Sequence, residues 1–125
     1  MLLTSSLAAI AFLGCTTALY AQTTDFNVTY HIERTHAAQL SIESCGKAVM
    51  DAAREAGLEA VSENTPEKLV TVSGGSSGKG AFLVQCIAVD DKTISVVQGI
   101  DYSPEKGALG DFADLAAKKV KDAVH

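Results

Sequence analysis

The chain has 125 residues, 47% of them hydrophobic and 20% charged, with a formal net charge of −5. This length accommodates one small domain and leaves no room for two. The acidic balance, with no basic run longer than Lys118-Lys119, argues against nucleic acid and anionic membrane as partners.

The first element is apolar. Met1 to Gly14 reads MLLTSSLAAIAFLG, without a single charge. About a dozen apolar-leaning residues are too few to span a bilayer, but they suit the h-region of a secretory signal. The run shows no polar face, which argues against a buried N-terminal helix. A basic n-region is missing, since the first Lys or Arg is Arg34. Small residues follow, and Ala18 or Ala21 can precede a cleavage site. We therefore expect a signal peptide over residues 1–21 and a single α+β domain over 22–125, periplasmic or secreted. The tetrapeptide FLGC ending at Cys15 also resembles a lipoprotein box, with Phe12 where Leu is usual. Membrane contact is expected only through the signal segment or a lipid on Cys15.

Residues 26–35, FNVTYHIERT, alternate Phe26, Val28, Tyr30 and Ile32 with polar neighbours. That period of two predicts a strand burying the apolar side. Ser41 is a good N-cap for the helix that follows, in which Ile42, Cys45, Val49, Ala52, Ala53 and Ala56 recur at helical spacing. Gly57 stands where a left-handed residue closes such a helix, and Leu58 can fold back onto it. A weak strand signal spans Leu58 to Glu63, and Asn64-Thr65-Pro66-Glu67 is turn chemistry.

KLVTVSG, residues 68–74, predicts the next strand, and the glycines of SGGSSGKG predict a mobile hairpin connection. AFLVQCIAV, residues 81–89, is almost continuously apolar, the pattern of a central strand covered on both faces. Asp90-Asp91-Lys92 reverses the chain into TISVVQGIDY, a strand with a possible bulge at Gly99. After a loop from Ser103 to Gly107, Leu109, Phe112, Ala116, Val120 and Val124 form one stripe of a closing helix. The order β-α-β-β-β-β-α predicts an α+β two-layer sandwich. An antiparallel sheet of four to five strands would carry two helices on one face.

Without the signal two cysteines remain, Cys45 and Cys86, about forty residues apart and unlike any CxxC or zinc spacing. In an oxidising compartment the pair is expected to form a disulfide, with two free buried thiols as the alternative. If Cys86 points to the helix-covered face with Phe82 and Val84, the bond pins helix to sheet.

Candidate chemistry is sparse, and no catalytic residue, cofactor or metal set is expected. The glycine stretch imitates a phosphate-binding loop, but Ser73 stands where its first Gly belongs and Gly80 follows Lys79 where a hydroxyl is needed. A strand follows it instead of a helix N-terminus. His31, Glu33 and His36 carry metal-ligating side chains, but their spacing is not diagnostic, and a solvated polar face is the expected reading, with metal binding as the alternative. Cys45 near a helix N-terminus would be an activated thiol only if exposed and reduced. Gln98, Asp101, Tyr102 and Asp111 gather where the last strand enters the last helix. Gln85 and Gln98 interrupt apolar strands, and if they pair on the open sheet face they offer amides to a ligand, or else satisfy one another.

The segments VTVSGG, GAF, QCIAV, SVVQGIDY and KGALGDFAD, between Val70 and Phe112, resemble a small bacterial family of exported proteins of unknown function. The resemblance covers the C-terminal half and the first helix. It implies export in a Gram-negative bacterium and supplies no activity or site residue. Two expectations follow. The first is a non-enzymatic periplasmic module, stapled by one disulfide, that binds an envelope protein or a small ligand. The second is a small metal-binding or thiol-redox protein.

Overall fold

A computed structural model of the chain describes residues 25–125; the expected signal peptide, its cleavage site and Cys15 lie outside the described residues. The elements are β1 (Asn27–His36), α1 (Ile42–Glu55), β2 (Glu59–Thr65), β3 (Leu69–Ser76), β4 (Gly80–Val89), β5 (Lys92–Asp101) and α2 (Ala108–Asp122). Strands β2 to β5 form an antiparallel meander, and β1 pairs antiparallel with β5, giving the sheet order β1-β5-β4-β3-β2. Helix α1 therefore connects the two edge strands and crosses the sheet on the way. Helix α2 packs beside it on the same face, so the fold is the expected two-layer α+β sandwich.

Local chemistry explains α1 end to end. Ser41 Oγ accepts the Ser44 backbone N–H at 3.0 Å, which satisfies one of the orphan donors of the first turn. At the other end Gly57 takes φ +71°, the Leu58 N–H donates to the Ala53 carbonyl and the Gly57 N–H to the Arg54 carbonyl. That paired bonding is a Schellman closure.

The core lies between the layers. Val70, Val72, Phe82, Val84 and Val97 from the sheet meet Val49, Ala52 and Ala53 of α1 and Leu109, Phe112 and Ala116 of α2, all buried. The Phe82 and Phe112 rings approach to 4.4 Å between centroids. Cys45 and Cys86 are fully buried and joined, with Cα atoms 6.1 Å apart, so the disulfide ties α1 to the central strand β4. The Thr93 hydroxyl donates to the Leu40 carbonyl at 2.6 Å and anchors the connection from β1 to α1 against the sheet.

Four expectations need correction. Phe26, Val28, Tyr30 and Ile32 are exposed, because β1 pairs with β5 in a register that sets Tyr30 opposite Gln98 and Ile32 opposite Val96, away from the helices. A period of two identifies a strand but does not say which side its neighbours will cover. Strand β4 is buried on one face only: Phe82, Val84 and Cys86 face the helices, whereas Leu83, Gln85 and Ile87 are half-exposed on the other side. The glycine stretch is mostly ladder, with Gly74 opposite Phe82 and Gly75 opposite Ala81. Only Ser77, Gly78 and Lys79 form the turn, where Gly78 takes φ +73°. Gly99 makes no bulge, since pairing runs unbroken through it on both sides. It is there because the first turn of α2 sits on β5, and a Cβ at 99 would overlap the Leu109 carbonyl.

Candidate functional site

The side of the sheet away from the helices is built from rows of residues in register across five strands. One row runs Tyr30, Gln98, Leu83, Ser73, Val61; the next runs Ile32, Val96, Gln85, Thr71, Glu63. Beyond them lie Val28, Ile100, Ala81, Gly75 and Glu59 on one side, and Arg34, Ile94, Ile87, Leu69 and Thr65 on the other. The apolar residues concentrate on β1, β5 and β4. Tyr30 is 66% exposed, Ile32 61% and, on the far edge, Val61 63%. No described element covers this face.

Elementary geometry gives its size. Five strands about 4.8 Å apart and about 30 Å long make a face of roughly 700 Å². The apolar band takes three of these strands, roughly 400 Å², and contiguous apolar patches of that size are often interaction sites. Exposed apolar residues scattered singly would carry no such meaning; these form a band across three adjacent strands.

Gln85 and Gln98 both lie on this face, but they do not stand opposite one another. Gln98 pairs with Leu83 and Gln85 with Val96, one row apart. The amides stand out in sequence as polar interruptions of apolar strands, whereas the apolar side chains around them read there as core. The signal was present: two helices on one face of a sheet cannot also cover the second face, yet β4 is apolar on both faces and β5 carries Ile94, Val96 and Ile100 on the side away from the helices.

The polar candidates lie elsewhere. His31 and His36 are five apart on one strand, so they point to opposite faces. The structure extends β1 to His36, which lies beside Lys92 and Asp91 in the turn region. His31 faces α2, where its Nε2 lies 2.8 Å from Asp114 Oδ1. Lys106 also bonds Asp114, and the lysine first, then His31, holds that carboxyl below its ordinary value. This half-exposed cluster ties β1 to α2, and beside it Glu33, Lys118 and Lys121 line a hollow of about 220 Å³. Among the described residues, His31, Glu33 and His36 do not converge and no group of three metal-ligating side chains is assembled.

Asp101, one of the four polar residues noted at the junction of β5 and α2, is buried beneath the start of that helix. Its carboxylate accepts the backbone N–H groups of Gly107 at 2.8 Å, Leu109 at 3.0 Å and Gly110 at 2.9 Å. Gly107 occupies the N-cap with no side chain to offer, so the strand supplies the cap that the helix lacks. Burial pushes the Asp101 carboxyl up, but the three N–H donors and the Lys106 charge outweigh it and hold the value below normal. Lys79 sits exposed in its turn and forms no part of an anion site.

A model for a family of unknown function, DUF6180, matches residues 25–125. No curated protein matches the chain. The chain belongs to the DUF6180 family, and the match extends over β1 to α2, beyond the segments that carried the resemblance in sequence. The family's description assigns no activity.

Proposed function

We propose that this DUF6180 member is an exported, non-enzymatic interaction module that works through the uncovered face of its sheet. One observation carries the proposal: a band of apolar side chains, led by Tyr30 and Ile32, spans three adjacent strands with no described element over it. Water contact with such a band is costly, at about 25 cal/mol per Å² of apolar surface, and a partner removes that cost. A flat face lacks the concavity of a small-molecule site, so its chemistry fits a protein surface. Gln85 and Gln98 supply hydrogen bonds within the band, which gives register to an otherwise greasy contact.

Export, to the periplasm or beyond, is supported by the uncharged apolar residues 1–14 and by a disulfide in a small domain. The alternative of a metal-binding or thiol-redox protein has less behind it. Cys45 and Cys86 are bonded and wholly buried, and the two histidines of β1 point apart.

Site-specific photo-crosslinking in the native cell tests the proposal. A photoreactive residue at Tyr30 is expected to give discrete adducts, whereas one at Lys47, exposed on the outer side of α1, gives none. Adducts from position 47 with none from position 30 would place the working surface on the helices and overturn the reading.

A further inference from the structure

We infer that the occupant of the uncovered face is a second copy of this chain, packed sheet against sheet about a two-fold axis parallel to the strands. The inference rests on the interaction-face reading and goes further by naming the partner. Three features of the face point to itself as complement.

The first is charge. On this face β1 carries Arg34 and His36 and no acid, while the opposite edge, β2, carries Glu59 and Glu63 and no base. A two-fold axis along the strands lays each β1 over the β2 of the other copy and keeps every row at its own height. Arg34 of one copy then lies one row from Glu63 of the second, and the same pair recurs on the far side, as an isologous contact requires.

The second is the distribution of exposed apolar residues. Tyr30 and Val61, both more than 60% exposed, sit at opposite ends of one row. The same axis stacks Tyr30 of each copy on Val61 of the other and Ile94 on Leu69, and it sets Ile32 beside Glu63, whose carboxylate turns to Arg34 one row away. Strand β4 is the middle strand of the five, so it lies over itself. Leu83 and Ile87 meet their equivalents there, and Gln85 meets Gln85, whose carbonyl and amino groups can pair across the axis.

The third is area. The face of roughly 700 Å² is close to the approximately 800 Å² per partner of a standard stable interface, and aligned packing of two sheets at about 10 Å is an established solution for burying such faces.

Sedimentation of the full chain over a concentration series, with four variants, tests the arrangement. The wild type is expected to be a dimer with a micromolar or tighter Kd. Ile32→Asp, at an exposed position, should weaken association by at least about 100-fold while leaving the far-UV spectrum and the thermal transition of the monomer unchanged. Arg34→Glu and Glu63→Arg should each weaken it about tenfold, and the double variant should recover to within about threefold of wild type.

A monomer at every concentration overturns the inference, as does a dimer indifferent to Ile32→Asp or a charge-swapped pair without recovery. The crosslinking experiment separates this failure from failure of the broader reading. A monomer whose Tyr30 position crosslinks to a different protein loses only the second copy, whereas a monomer without adducts loses both.

Discussion

Replacing Cys45 and Cys86 together by alanine lowers the melting temperature by about 15–30 °C. The bond closes a loop between residues 41 apart in sequence, worth about 4 kcal/mol through the unfolded chain. A domain of this size commonly has about 5–15 kcal/mol in total, and each kcal/mol shifts its midpoint by roughly 4–8 °C. The position of the bond adds to the effect. Cys86 lies mid-way along the central strand and Cys45 in the first turn of α1, so the staple joins the layers where both are fully buried. Differential scanning calorimetry at neutral pH reads the change, and an unaltered midpoint would mean that the bond does not constrain the chain. The single Cys86→Ser variant should be no more stable, because it leaves a hydroxyl in an apolar core.

The second large effect is at Asp101. Asp101→Asn is expected to cost about 2–4 kcal/mol, since one carboxylate holds three backbone donors and an amide presents only one accepting oxygen to them. The amino group of the asparagine would also face an N–H. The same residue sets part of the acid limb. Its carboxyl titrates below the ordinary value in the folded chain, so its contribution is complete above the unfolded carboxyl value of about 4 and is lost as pH falls through the folded one. Urea unfolding between neutral and acidic pH should therefore show a decline in the wild type that is shallower in Asp101→Asn. Parallel curves would assign the acid sensitivity to other carboxylates.

Much of the fold is legible in the sequence, and the reasons for the rest are specific. Helix α1 announces both ends because Ser41 and Gly57 act on backbone groups within four residues of themselves. Helix α2 announces its stripe but not its cap, because the capping carboxylate belongs to a strand and precedes Gly107 by six residues. The meander is legible from its turns. Which side of β1 the helices would cover is not, since alternation has no absolute sign.

The unread side of β1 is also the informative one. Thr29, His31, Glu33 and Thr35 face the helix layer while Val28, Tyr30 and Ile32 face water, the reverse of what burial alone prefers. Natural sequences break local rules of this kind mainly where function requires it. The polar side is used, through the bond from His31 to Asp114. The apolar side meets no described element, and an apolar, half-exposed row on β5 and β4 continues it. Strand β4 is apolar on both faces, as its sequence reads, but the described chain covers only the one that meets the helices.

Hydroxyl-radical footprinting of the native protein tests that central claim most directly. Tyr30 and Leu83 should oxidise far more slowly in the native protein than in the dispersed Ile32→Asp variant, while exposed Tyr102 at the end of β5 oxidises equally in both. Rapid oxidation of Tyr30 in the native protein, at a rate matching Tyr102, would show the face to be open to water in the working state and would contradict the account.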